Sequence, residues 1–317
     1  MTPYRLATLE IRGVPRAALV LHDRYYPLHN SDVAAPLKRA CVLDLLADWA
    51  DVAPSLQALA DAPARLGPGV DADDARIKLL TPIRYPRAVY CTVFNYYDFA
   101  REAGVTPPDK TTTRPYVCIK LPHTVIGPGD AILLPEHTAQ LDWEVELGAV
   151  IGQRCRDARA ENALDYVAAY TIVNDLSARD VIIRPDWPNF ASDWLVSKNF
   201  DTGTPIGPYL TPAPQIPDPQ NVPLRLWLND QPMQDGNTSS MIFTLAEQIA
   251  HISSVLTLLP GDVIATGTPA GVGWKRGRFL QVGDDVRCEI PGIGSFSNSV
   301  VGPVPMLPPS LGERGIA

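Results

Sequence analysis

LDWEVELGAVIG (141–152) is the stretch on which the reading of this chain turns. It has the apolar density of a buried strand, yet Glu144 and Glu146 interrupt it two positions apart. Strand side chains alternate faces, so both carboxylates point one way while Trp143, Val145 and Leu147 point the other. Two like charges side by side on a buried face repel, and each costs desolvation, unless a cation sits between them. A hard divalent ion is the simplest such cation, because oxygen-only ligands select magnesium, calcium or manganese over zinc. The competing reading is an edge strand with both glutamates in water.

AAYTIVNDLSARD (168–180) runs from a second apolar strand pattern into Asp175, a third carboxylate at a strand end. Arg179, four residues on, is a fixed cation suited to a bidentate grip on a carboxylate. Asp175 could equally cap a short helical turn, and the two roles are compatible. Lys198, in VSKNFDTGTP, reads by itself as a surface lysine in an ion pair. The glycines of GTPAGVGW (267–274) loosely suggest a phosphate loop, but no Lys-Ser/Thr follows, so a tight turn is the better reading.

The order and wording of five segments resemble the fumarylacetoacetate hydrolase superfamily: LDWEVELGAVIG, YTIVNDLSARD (170–180), SDWLVSKNFDTGTPIGPYLTP (192–212), GDVIATGTPAGVGW (261–274) and FLQVGDDVRCEIPGIG (279–294). The likeness covers roughly residues 80 to 305 and is closest in flavour to the diene-dioate isomerase and acylpyruvase branch. It implies an α+β, mostly β fold, a mixed β-sandwich roll, and a homodimer. It also implies a metal enzyme acting on 2-oxo or β-diketo carboxylic acids through an enolate. Glu144, Glu146 and Asp175 match the metal ligands, with magnesium or manganese expected and calcium open. Arg179 matches the arginine that holds the substrate carboxylate, Lys198 the lysine that carries developing charge, and Thr266, Gly267 and Thr268 the turn on the substrate side.

Two departures from the resemblance bear on the reaction. Hydrolytic relatives carry N-Y-x-x-H-x-x-E, whose His and Glu activate water; here the stretch is NYYDFARE (95–102), with Phe99 at the histidine position and Glu102 retained. A phenyl ring accepts no proton, and general-base assistance is worth about 10²–10⁴-fold in rate. Past Arg179, Ile182 stands where relatives often have glutamine. Carbon–carbon cleavage in the catabolism of aromatic or related acids leads on the family prior, with Glu102, Asp98 or Tyr97 as stand-in base. Double-bond isomerisation or decarboxylation follows close behind, since neither needs activated water. A non-catalytic metal- and ligand-binding homologue is a third reading. His123 is a further stand-in base, though a structural histidine is the better reading of it.

The rest of the chain sets the frame. With 317 residues, 46% hydrophobic and 20% charged, it can bury one large core and a smaller module. A net charge of -8 without a basic stripe disfavours nucleic-acid binding. No apolar run reaches bilayer length and MTPYRLATLE has no signal-peptide form, so a cytoplasmic protein free of the membrane is expected. Five cysteines without a C-x-x-C pair suggest reduced, buried thiols. The pattern divides near Pro82 and Pro86. Residues 1–80 read as a small α+β module with hairpin strands and a helix over 42–62, and residues 81–317 as the catalytic roll. The stretch 101–115 has the composition of a lid, and Trp187, Phe190 and Trp194 in 182–194 are candidate walls for a substrate tail or simple anchors of that loop.

Overall fold

The structure, a computed structural model, describes residues 1–30, 37–38, 41–187, 189 and 192–303; Phe190 lies outside them. Among the described residues the strands form a twelve-stranded mixed sheet, a five-stranded sheet and a two-stranded ribbon. The α+β, mostly β roll expected from the sequence is the fold observed.

At the middle of the large sheet lie the antiparallel strands Val145–Ile151 and Val167–Asn174, with Val145 opposite Asn174 and Glu146 opposite Val173. Every residue of both is buried. Near-continuous apolar runs are what a strand covered on both faces requires. One face of Val145–Ile151 sends Val145, Leu147, Ala149 and Ile151 into a core closed by Leu224, Leu226 and Val286 of the five-stranded sheet. The other sends Val150 into a second core with Leu46, Val52 and Leu56. Glu146 belongs to this second face. Trp143 obeys the same period of two although regular pairing begins only at Val145: it is fully buried in the first core, its indole N–H donating to the Gly271 carbonyl at 3.1 Å.

The N-terminal strands Arg5–Ile11 and Val14–Leu21 form the expected hairpin. The helical pattern over 42–62 resolves into two helices, Val42–Ala47 and Trp49–Asp61, separated at Asp48, whose backbone leaves the helical region. Strand Arg5–Ile11 pairs with Thr204–Pro212 through Leu6 and Leu210, and Thr204–Pro212 pairs in turn with Val167–Asn174. One main-chain ladder therefore runs from the first strands of the chain to those that carry the acidic residues.

Helix Leu245–Val255 opens on a reciprocal cap in which the Thr244 hydroxyl accepts from the Glu247 N–H at 3.3 Å and the Glu247 carboxylate accepts from the Thr244 N–H at 2.7 Å. Glu247 also holds Lys110 at 2.8 Å, tethering the 101–115 stretch to the body. Thr244→Ala is expected to cost about 1 kcal/mol, read as a lower urea midpoint at unchanged slope. An unmoved midpoint would show that the cap contributes nothing.

Candidate metal centre and active site

The register of the two central strands assembles the acidic cluster. Because Val145 faces Asn174, the residues just beyond, Glu144 and Asp175, become neighbours: the Asp175 N–H donates to the Glu144 carbonyl at 2.9 Å, and the Glu144 N–H donates to the Asn174 side chain at 3.0 Å. Glu144, Glu146 and Asp175 are all buried, and each offers a carboxylate oxygen within 4.8 Å of the others. Neither glutamate is on a solvent-exposed edge.

Fixed cations neutralise most of this charge. Lys198, at the end of the short helix Trp194–Lys198 that Asp193 caps, places its buried ammonium 2.9 Å from Glu144 and 2.6 Å from Asp175. Lys120, at the end of strand Tyr116–Lys120, lies 2.8 Å from the other Asp175 oxygen and donates to the Leu176 carbonyl. Arg179 pairs with Asp142 at 2.8 Å and with Glu144 at 2.6 Å. Four buried acids thus meet three bases, and among the described residues Glu146 is the acid without an ion-pair partner. It accepts the Gly267 N–H at 2.8 Å. Gly267 can aim that N–H because its φ is +96°, and a Cβ there would stand 2.7 Å from that of Asn95.

Protonation follows this arrangement. Burial, with Asp175 and Glu144 beside it, pushes the Glu146 carboxyl well above the usual range. Burial also pushes Asp175 up, but Lys120 and Lys198 outweigh it and hold that carboxyl below its usual range. Burial disfavours the Lys198 charge, yet Asp175 and Glu144 outweigh it and raise the ammonium well above its ordinary value. An all-oxygen donor set with one buried, uncompensated carboxylate fits a hard divalent ion, whose added charge would fall where the protein supplies none.

The cluster floors a cavity of ≈ 330 Å³. Arg179, Lys198 and Thr268 reach it, as do Phe99 and Ile182, the two departures noted in the sequence. Other expected residues are placed differently. Glu102 is not in the lining; its carboxylate accepts the Gly271 N–H at 2.8 Å. Thr266 spends its hydroxyl on the Leu147 carbonyl and, with Gly267, acts from behind the cluster. Asp98 accepts its neighbouring Phe99 N–H, Tyr97 is 40% exposed, and His123 is exposed. Of the loop aromatics, Trp194 lines the cavity while Trp187 is 54% exposed and does not. Arg179, expected to hold substrate, has its guanidinium engaged by two protein carboxylates.

Lys120 and Asp142 were missed by the sequence reading. A signal for Lys120 was present: in YVCIK, Lys120 shares a strand face with Cys118, and that face is buried while Ile119 is 49% exposed. Asp142 had none, since its value lies in reaching Arg179 and accepting the Gly273 N–H at 2.7 Å.

A family model described as fumarylacetoacetate (FAA) hydrolase C-terminal matches residues 88–301. The chain belongs to that family and is a metal-dependent enzyme. It is 40% identical over 229 residues to the mitochondrial oxaloacetate tautomerase fahd2 of Xenopus laevis, covering 72% of this chain and 69% of that protein. Among solved structures it is similar to the fumarylacetoacetate hydrolase of Exiguobacterium antarcticum, at 29% identity and a TM-score of 0.76, covering 94% of this chain and 99% of the other. It is also similar to the maleylpyruvate hydrolase of Sphingobium sp. SYK-6 in complex with manganese (II) and pyruvate, at 27% identity and a TM-score of 0.74, covering 95% of this chain and 100% of the other.

Proposed function

We propose that this chain is a 2-oxo acid tautomerase or double-bond isomerase, forming an enol at the carbon next to the 2-oxo group and returning it to a keto form. The observation that carries this reading is Phe99, a 5% exposed phenyl ring facing the cavity where a water-activating base would stand. Phe94 packs against it with ring centroids 4.9 Å apart, so this wall repels water. The likeness to oxaloacetate tautomerases points the same way.

Glu144, Glu146 and Asp175 would hold magnesium or manganese, which would supply a Lewis acid for the substrate's carboxylate and 2-oxo oxygens. Lys198 presents a fixed positive charge to the same end of the cavity, favouring the negative charge that develops as the proton passes from carbon to a solvent water, which delivers it back at the end of the shift. Arg179 orients Glu144, and Lys120 orients Asp175. Thr268 is itself oriented: its hydroxyl donates to the Val145 carbonyl at 2.9 Å and accepts from Gln234 at 2.8 Å. Cleavage would need a water made nucleophilic at a second carbonyl, and no lining side chain among the described residues is placed as its base.

In heavy water with manganese, the wild-type protein is expected to exchange the protons beside the keto group of 2-oxo acids, with EDTA abolishing the exchange. Hydrolysis of an acylpyruvate should be slow by comparison, and Phe99→His should raise it by about 10²-fold or more, given what a general base contributes. Hydrolysis by the wild type as fast as its exchange would replace this reading with cleavage. We also propose a homodimer, supported by the edge strand Tyr116–Lys120, where Tyr116 is 57% exposed and accepts the Trp194 indole N–H, with the next residue, Leu195, 64% exposed. A monomeric mass by light scattering would overturn it.

A further inference from the structure

We infer that the substrate carries a single carboxylate, held at the acidic cluster, and that its other end is uncharged and apolar. The inference rests on the 2-oxo acid reading above and narrows it. It departs from the dicarboxylate in the printed names of the tautomerase relatives.

The cavity has two unlike ends. Its floor is the acidic cluster; its walls are Phe94, Phe99, Ile182, Ile183, Trp194 and Trp274. Among the described lining residues the cations are Arg179 and Lys198, and both are ion-paired with protein carboxylates at 2.6–2.9 Å, with Arg179 Nε donating to Asp142 while its Nη2 lies near Glu144 without a well-aligned hydrogen bond. The lining hydroxyls are committed too: Thr92 donates to Gln248 at 2.7 Å, and Thr268 to the Val145 carbonyl. The Trp194 indole N–H goes to the Tyr116 hydroxyl at 2.9 Å. Lys275 sits outside the lining, its ammonium 4.1 Å from the ring centroid of the half-exposed Trp274.

A second carboxylate against these walls would lose its water and find no unpaired cation to replace it, with at most the Trp274 indole N–H as a neutral donor, whereas an alkyl or aryl tail would bury apolar surface at no such cost. Phe99 and Ile182 therefore do more than remove a base and an amide. They turn the wall from one that handles water and charge into one that selects an apolar tail. Ile183, a lining residue that is 57% exposed, continues this apolar surface toward solvent.

Two oxamates of equal size test the inference without turnover. N-isobutyloxamate and oxalylglycine share the chelating oxamate end and differ in ending with an isopropyl group or a carboxylate. On the manganese-loaded protein, calorimetry should find N-isobutyloxamate tighter by about tenfold or more. Equal or tighter binding of oxalylglycine would overturn the inference and leave the tautomerase reading standing, which the exchange experiment judges separately. Binding of neither compound to a manganese-loaded protein would overturn both. Ile183→Arg, at an exposed position where folding is not at stake, should shift the ratio toward oxalylglycine by about tenfold; an unchanged ratio would overturn the placement of the tail along this wall.

Discussion

Lys198→Met is expected to lower the stability of the metal-free protein by about 3–5 kcal/mol, the usual cost of removing one partner from a buried ion pair. The reason lies in the two contacts of its ammonium, 2.9 Å to Glu144 and 2.6 Å to Asp175, in surroundings where Lys198 is only 4% exposed. Methionine fills the same space and leaves Glu144 to Arg179 alone and Asp175 to Lys120 alone. Manganese should then restore more stability to the variant than to the wild type, because the ion takes over a charge that lysine had supplied. The proton exchange should fall by about 10²–10³-fold even in the fully loaded protein, as expected for loss of a preorganised charge. Denaturant unfolding with and without manganese reads the first effect, and exchange at saturating metal reads the second. A variant as stable as the wild type without metal would show that this lysine is not paired in solution.

Glu146→Gln is expected to behave in the opposite sense. Glu146 is 1% exposed, and no cation among the described residues pairs with it. Glutamine keeps an oxygen for the Gly267 N–H, which stands 2.8 Å from the glutamate oxygen, and removes a carboxyl that burial and its two acidic neighbours already disfavour as an anion. The metal-free protein should be at least as stable as the wild type. Manganese affinity should fall by more than the roughly 10–100-fold typical of losing a residue behind a ligand, and exchange should vanish at metal concentrations that saturate the wild type. Titration calorimetry with manganese decides it, and unchanged affinity would remove Glu146 from the proposed ligand set. The two substitutions thus separate the fixed charges that hold the cluster together from the charge it leaves for an ion.

How much of this was legible in the sequence depended on the range of the interaction. Alternation within one strand put Glu144 and Glu146 on one face, and the apolar run ending at Asp175 brought the third carboxylate into the argument. The roles of the cations were less accessible, because a side chain's partner depends on register between strands far apart in the chain. Arg179 has the chemistry to grip a substrate carboxylate, and only its 2.8 Å contact with Asp142, 37 residues earlier, reveals that it grips the protein instead. Glu102 was retained in the motif but turned toward the Gly271 backbone, an orientation set by a turn 169 residues away. Lys120 was passed over although it shares a strand face with the apolar Cys118, because an exposed isoleucine and a buried lysine run against the pattern by which strand faces are ordinarily read.

The pairing of Leu6 with Leu210 has a further meaning for a segment that brings no chemistry of its own. The family match begins at residue 88, beyond the hairpin that docks along Thr204–Pro212. Without that hairpin, Thr204–Pro212 would lose its partner at Leu210 and offer hydrogen-bonding groups there as a template for self-association. The first strands of this chain therefore serve as a selvedge: they finish the cloth on which the reactive residues are woven and keep it from fraying into its neighbours.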